Sequence, residues 1–227
     1  MIGSRKVTAL LPMKAHSERV PNKNFKPFCG QPLYTRVLAT LHRCAAVDEI
    51  IINTDSEVLM RDAPALSPKV RMHLRPEAIR GDGVSMNRII ENDLARAGTD
   101  IVLQTHSTNP LLKASTIQRA LECFASDADH DSLFSVNTFQ SRFYDQHGRP
   151  INHDPEVLLR TQDLPPVYEE NSNLYVFTAS SFAKRGRRIG ERPRLFPVDR
   201  IEAIDIDDMV GFHIAETLAA YADLARD

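Results

Sequence analysis

The sequence predicts a doubly wound α/β fold built around a mostly parallel sheet. Short apolar runs alternate with segments whose apolar residues recur at helical spacing, which is the pattern of successive βαβ units. The 227-residue chain has 42% hydrophobic and 26% charged residues, which suits a single globular domain. Polar side chains follow the apolar runs directly, at the edge where such sheets bind their ligands.

Five apolar runs have the length of buried strands, and three segments have helical periodicity. The first run stops at Pro12, and the second, at 49–53 (EIIIN), leads straight into polar residues. Leu33 and Leu41 lie on one helical face behind Pro32, which suits the first turn of a helix. We expect strands at 7–11, 49–53, 70–74, 101–104 and 132–136, and helices at 32–47, 85–97 and 114–124.

The pattern changes after the fifth strand. Residues 137–171 are rich in proline, histidine, arginine and aspartate and show little periodicity, which indicates an inserted lobe rather than core. A strand at 174–177 and a final helix at 210–220 complete the series. Because no repeat or linker divides the chain, we expect one domain over residues 1–227, with the inserted lobe at about 137–171.

Composition and charge argue against several classes of partner. A net charge of −2 gives no overall attraction to nucleic acid or to an anionic membrane. No uncharged apolar run approaches the roughly 20 residues of a membrane helix, so we expect a soluble protein. The three cysteines, Cys29, Cys44 and Cys123, lack metal-ligand spacing and indicate reduced thiols in a cytoplasmic protein.

A basic loop follows the first predicted strand. Lys14, Arg19, Lys23 and Lys26 place four cationic side chains within thirteen residues, at the mouth of the sheet. Such a loop suits a polyphosphate, and its charge must come from side chains because neither GxxxxGK[ST] nor GxGxxG occurs. A solvated basic surface loop is the equally simple alternative.

The same loop resembles the N-terminal signature of the acylneuraminate cytidylyltransferases, PARxxSKxxPxKNxxxxxGxPL. The run is LLPMKAHSERVPNKNFKPFCGQPL, and the matching positions are Pro12, Ser17, Pro21, Lys23, Asn24, Gly30, Pro32 and Leu33. The resemblance covers nearly the whole chain and implies a fold like that of the nucleotide-diphosphosugar transferases. It also implies that Lys14, Lys23 and Asn24 contact the triphosphate of CTP, and that Ser17 is a further nucleotide-binding residue.

Two positions of this loop depart from the family. Lys14 stands where the family usually has arginine, and Glu18 stands where it has lysine. Lysine is a point charge without the bidentate fork of arginine, so the phosphate contacts change. Arg19 follows directly, and we expect it to replace the missing charge in nucleotide binding.

Two carboxylates lie near the C-terminus in the run Ile204-Asp205-Ile206-Asp207-Asp208. In an extended segment Asp205 and Asp207 point to the same side, where they suit Mg²⁺ with phosphate oxygens. The alternative is a helix cap without chemistry, a role we assign to Asp208. The pattern IDIDxxxxFxxAExL matches the family's C-terminal motif, which implies that Asp205 and Asp207 hold Mg²⁺ and are catalytic with Lys14 and Lys23.

Three further segments follow predicted strands. Asp55, at the end of the second strand, either orients a nucleotide or substrate group or caps the next helix, and we favour the cap. Arg75 and Ser85 fall in a run that resembles the family's RPxxLAxDxxS segment, which implies contacts to the cytosine and ribose. Alternatively, Asp82 and Ser85 simply begin the next helix.

The resemblance also implies the acceptor site. Gln104, Asn171 and Tyr175 fall on family segments that line a sugar-acid pocket, although the loop from Gln104 to Pro110 is two residues longer here. His106 in that loop has no evident partner and receives no catalytic role. An arginine of the lobe would read the acceptor carboxylate, and the candidates are Arg142, Arg149 and Arg160.

The function implied is transfer of CMP from CTP to the anomeric hydroxyl of a nonulosonic (sialic-acid-like) acid, by a homodimer whose lobe packs on its partner. Alternatives are a cytidylyltransferase for pseudaminic, legionaminic or ketodeoxyoctonic acid or a phosphonate, and a non-catalytic nucleotide-binding relative.

Overall fold

The computed structural model describes residues 2–224 and contains nine strands and six α-helices within them. The strands are β1 (Val7–Leu10), β2 (Pro27–Phe28), β3 (Gln31–Pro32), β4 (Glu49–Thr54), β5 (Val70–Leu74), β6 (Ile101–Thr105), β7 (Ser132–Phe139), β8 (Val167–Thr178) and β9 (Pro193–Pro197). The helices are α1 (Tyr34–Arg43), α2 (Glu57–Asp62), α3 (Met86–Leu94), α4 (Ala114–Ala125), α5 (Ala179–Arg185) and α6 (Met209–Leu224).

Seven strands form one sheet in the order β5-β4-β1-β6-β8-β7-β9, and β2 and β3 pair separately. Strand β8 runs antiparallel to both of its neighbours, while every other pairing in the sheet is parallel. The predicted fold class, a mostly parallel sheet interleaved with helices, is therefore confirmed.

Both faces of the central strands β1, β4 and β6 are buried, which explains the continuous apolar runs of these strands. Because side chains alternate along a strand, Ala9 and Ile50 pack in the cluster that contains α1 and α4. Leu10 and Ile51 pack in the opposite cluster, against α3 and α5. A smaller cluster packs α6 against Phe28 and Leu33, which brings the C-terminal segment beside the N-terminal loop.

Short or half-exposed elements escaped prediction. Helix α2 has six residues and α5 has seven, too few for a helical period to stand out. Strand β9 begins and ends with proline, a residue that suggests a loop. Strand β8 starts at Val167 rather than at 174, because its polar first half pairs with β7 away from the core.

The structure places strand at both ends of the 137–171 range. Residues 140–166, which we call the lobe, contain no α-helix or named strand and one short 3-10 helix at Thr161–Asp163. Its exposed apolar side chains include Val157 and Leu158, the latter 86% exposed. Within residues 2–224, no helix combines the length and apolarity needed to cross a bilayer.

Candidate active site

A pocket of about 250 Å³, the main pocket, opens at the carboxyl edge of the sheet. Lys14 reaches it from the loop after β1, Arg75 from the end of β5 and His106 from the end of β6. These strands lie close together in the sheet, so their following loops converge on one place. Of the predicted site residues, those that line the main pocket are Lys14, Ser17, Lys23, Asn24 and Arg75.

The two lysines of the main pocket have different partners. Lys14 forms an ion pair with Asp82 on the facing loop, and this bond holds the pKa of Asp82 below its ordinary value. Lys23 donates to the backbone oxygen of Ile206, and burial lowers the pKa of its ammonium group against the opposing charges of Asp205 and Asp207. This hydrogen bond joins the basic loop to the carboxylate segment, residues 204–208.

Buried polar bonds hold the basic loop in shape. Asn24 is buried, donates from Nδ2 to the Lys14 oxygen at 3.0 Å and accepts from the Ser107 hydroxyl at 2.7 Å. Asp55 Oδ1 accepts from the Ala15 N–H at 2.7 Å. The helix cap expected at Asp55 is wrong, because Ser56 caps α2, and Asp55 instead braces the basic loop.

Arg75 is buried at the back of the main pocket. Its Nε donates to Asn53 Oδ1 at 2.8 Å, and its Nη2 donates to the Asn53 and Met13 backbone oxygens at 2.9 Å and 3.4 Å. Burial lowers the pKa of this guanidinium. Ser85 caps α3 by accepting from the Asn87 N–H at 3.3 Å, as the alternative interpretation predicted, and it does not line the main pocket.

Neither Asp205 nor Asp207 lines the main pocket, although Asp205 is bonded to Thr108, which does. The Thr108 hydroxyl bonds Asp205, while Asp205 Oδ1 is buried without a partner among the described residues. Burial raises the pKa of Asp205, and the charge of Asp207 adds to the effect. Arg19 pairs with Asp207 at 2.6 Å instead of lining the main pocket.

This carboxylate pair fits a hard divalent cation. A buried carboxylate oxygen without a partner, next to a second carboxylate, is the donor chemistry that Mg²⁺ takes in proteins. No cluster of three or more candidate metal ligands occurs within residues 2–224, so phosphate oxygens would have to complete the shell. The cap predicted at Asp208 is confirmed, since its Oδ1 accepts from the Gly211 N–H at 2.7 Å.

A neighbouring cavity of about 360 Å³, the side pocket, is lined by Ser85, Met86, Asn87, Arg187, Arg188 and Ile189. Gln104 and Tyr175 lie behind Arg188, which donates to Gln104 Oε1 at 2.7 Å and to the Tyr175 hydroxyl at 2.8 Å. Sequence reasoning missed Arg188, because it sits in an arginine-rich stretch (RGRRIGERPR) that resembles an ordinary solvated loop.

The remaining acceptor candidates are engaged elsewhere in the chain. Asn171 is buried between β7 and β8, where it accepts from Ser135 and donates to Asn137 Oδ1 at 3.1 Å. His106 lines the main pocket, and burial together with the charge of Arg188 lowers its pKa to about 4. The lobe arginines bind oxygens of the lobe itself, with Arg142 on the Leu159 oxygen, Arg149 on Asp145 and Arg160 on Asp163.

A doubly wound sheet with a cationic pocket and a carboxylate pair at its carboxyl edge defines a nucleotidyltransferase. The chain belongs to the cytidylyltransferase family, whose sequence profile matches residues 8–220. The family resemblance inferred from the motifs is therefore confirmed, and the class of enzyme is a CTP-dependent nucleotidyltransferase.

Two curated relatives illustrate the level of similarity. N-acylneuraminate cytidylyltransferase A of Danio rerio is 26% identical over 221 residues, which cover 94% of this chain and 50% of that protein. The chain thus spans about half the length of the fish protein. CMP-N,N'-diacetyllegionaminic acid synthase of Legionella pneumophila is 25% identical, over 94% of this chain and 96% of that protein.

Two solved structures share the fold. CMP:2-keto-3-deoxy-manno-octonic acid synthetase, complexed with CTP, superposes with a TM-score of 0.67 at 13% identity, covering 96% of this chain and 99% of its own. A 4-diphosphocytidyl-2C-methyl-D-erythritol synthase from Anaerococcus prevotii gives 0.69 at 12% identity, covering 96% and 98%. At these identities the likeness establishes the fold alone.

Proposed function

We propose that this protein transfers CMP from CTP to the anomeric hydroxyl of a nonulosonic acid and releases pyrophosphate. The observation that carries the proposal is the hydrogen bond from Lys23 Nζ to the Ile206 oxygen. It places the cationic loop, suited to a triphosphate, beside Asp205 and Asp207, suited to the metal that accompanies a triphosphate. The curated relatives named for N-acylneuraminate and diacetyllegionaminic acid support an acidic sugar as the acceptor.

The reaction depends on positioning of the substrates and neutralisation of charge, and it needs no covalent intermediate on the protein. The acceptor hydroxyl attacks the α-phosphorus of CTP, its proton is lost, and the bond from the α-phosphorus to the bridging oxygen of pyrophosphate breaks. Lys14 and Lys23 face the main pocket and would neutralise the departing pyrophosphate. Mg²⁺ held by Asp205 and Asp207 would supply positive charge to the phosphate oxygens.

The particular acid is the finer part of the proposal. Relatives named for pseudaminic acid and for 3-deoxy-manno-octulosonate are 24% and 27% identical, so similarity does not separate the acceptors. A phosphonate acceptor is a further alternative within the same class. The lengthened loop after Gln104 lies beside Arg188, and we expect this region to set the choice.

A homodimer is part of the proposal because the lobe exposes apolar side chains. Ile151, Val157 and Leu158 are each more than half exposed in the single chain. Apolar side chains exposed together on one segment are typical of an interface. A cytoplasmic location stays a prediction.

The test is pyrophosphate release from each of the four nucleoside triphosphates, with Mg²⁺ and a panel of sugar acids. We expect release from CTP with one acid or a few related acids. Asp208→Asn serves as the active control beside Asp207→Asn, since asparagine caps a helix as well as aspartate does. Binding of CTP without release from any pair would instead favour the non-catalytic nucleotide-binding alternative.

A further inference from the structure

Arg188 is held in one position by two side chains of the sheet. Its guanidinium carbon lies 3.6 Å from the centre of the Tyr175 ring, and its terminal nitrogens donate to Gln104 Oε1 at 2.7 Å and to the Tyr175 hydroxyl at 2.8 Å. Only 19% of the side chain is exposed. A stacked, doubly bonded guanidinium has lost its rotational freedom before any ligand arrives, which favours specific recognition.

The backbone around Arg188 is fixed at both ends. Gly186 ends α5 with φ of 64°, a conformation that favours glycine. Gly190 packs so closely on Asp131 that a Cβ there would lie 2.2 Å from Oδ1, and its N–H donates to the Ser132 hydroxyl at 2.8 Å. The short segment between the two glycines is therefore anchored to the rim of the sheet, with Arg188 directed into the side pocket.

The charge of Arg188 is only partly balanced. Glu170 is the one carboxylate within 4 Å of it among the described residues, at 3.6 Å, and that carboxylate also accepts from the Tyr175 hydroxyl. Burial raises the pKa of Tyr175 to about 12 and lowers that of His106 to about 4, so both neighbours are neutral near pH 7. Arg187 adds a second positive charge to the same pocket.

A mostly buried, preorganised cation in a positively charged cavity favours an anionic ligand. We propose that Arg188 binds the carboxylate of the acceptor acid in the side pocket, an inference that rests on the proposed function. Met86 lines both cavities, so an acid in the side pocket lies next to a nucleotide in the main pocket. Lys14 and Lys23 face only the main pocket, which separates the cations for the triphosphate from the cation for the acceptor.

The first test measures acceptor and nucleotide constants separately in the full chain. Arg188→Gln should raise the KM for the acid by about 30-fold or more, which is the loss of a desolvated charge pair, while the KM for CTP changes less than about 3-fold. Arg188→Lys should have a KM for the acid between those of the wild type and Arg188→Gln, because lysine keeps the charge but lacks the two-nitrogen fork. Arg185→Gln is the matched control, since Arg185 pairs with Glu191 and does not line the side pocket.

The second test asks which group of the acceptor Arg188 reads. The wild-type enzyme should prefer the acid to its C1 amide, and Arg188→Gln should lose most of that preference. An unchanged preference, or equal loss of acid and CTP affinity, would overturn the assignment to the carboxylate. CTP binding by calorimetry and an unaltered melting temperature show that the variant is folded. Failure of the wild-type enzyme with every acid would count against the proposed function instead.

Discussion

The Arg75 guanidinium donates to both oxygens of Asn53, from Nε to the side-chain oxygen at 2.8 Å and from Nη2 to the backbone oxygen at 2.9 Å. Asn53 Nδ2 in turn donates to Asp93 Oδ1 at 2.7 Å, and His73 Nδ1 lies 2.9 Å from the same oxygen. All four side chains are buried. The network therefore ties the ends of β4 and β5 to α3 and sets the back wall of the main pocket.

Arg75→Lys should destabilise the fold by about 2–3 kcal/mol, because an ammonium group cannot replace the two-nitrogen fork and leaves buried acceptors unpaired. The KM for CTP should rise several-fold as the pocket wall loosens. Arg71→Lys on the same strand is the control, since Arg71 is half exposed and its pair with Glu49 spans 3.7 Å. Urea unfolding would measure the free energy of unfolding of both variants. An equal loss of stability in the two would contradict the role of the network.

Lys23→Gln should lower kcat by about 100-fold or more, because it removes one positive charge facing the main pocket and the bond to the Ile206 oxygen. The matched control is Lys26→Gln in the same loop. Lys26 lies over the Phe212 ring at 5.8 Å and does not line the main pocket. Steady-state kinetics with CTP would give both values, and a comparable loss in the control would show that the loop, rather than Lys23, matters.

The parallel core could be predicted from sequence because its strands are buried on both faces. The apolar run at 49–53 and the helical spacing of apolar residues after Pro32 both indicate burial. In the structure they correspond to β4 and α1. The basic loop and the carboxylate pair could also be found, since each lies in a family motif of fixed spacing. The contact between them could not be predicted, because Lys23 and Ile206 are 183 positions apart in the sequence.

Other parts of the site carry no local signal. Arg188 is positioned by hydrogen bonds to Gln104 on β6 and Tyr175 on β8, which are far from it in sequence. No periodicity around Arg188 separates it from the neighbouring solvated arginines. Arg19 lies in the basic loop and pairs with Asp207, so the nucleotide-binding role expected for it stays a prediction. Asn171 accepts from Ser135 between the paired strands β7 and β8, and its part in acceptor binding stays a prediction.

Asp205→Asn should abolish turnover and stabilise the fold at neutral pH. Burial raises the folded-state pKa of Asp205, so the stability linked to its protonated form is present at low pH and is lost as pH rises through that pKa. Replacing the ionised group should recover about 1 kcal/mol at pH 7. Unfolding free energies at pH 4 and pH 7 would measure this, with Asp208→Asn as control, and a destabilised variant would contradict it.

His106 should make the protein less stable as the pH falls below 6.5. Burial and Arg188 lower its folded-state pKa to about 4, so the unfolded chain binds the proton more readily across that window. The wild type should therefore lose unfolding free energy between pH 7 and pH 5 that His106→Gln keeps. The difference should be about 2 kcal/mol or less. The exposed His147 gives the control, His147→Gln, which should follow the wild-type curve.

The most direct test of nucleotidyl transfer follows the phosphorus atoms of CTP. With Mg²⁺ and the acid that supports turnover, label placed at the α-phosphorus should appear in the sugar-acid product, and label at the γ-phosphorus should appear only in pyrophosphate. Asp207→Asn should form neither product. Appearance of the γ label in the acid, or of the α label in free CMP without an adduct, would contradict the assignment.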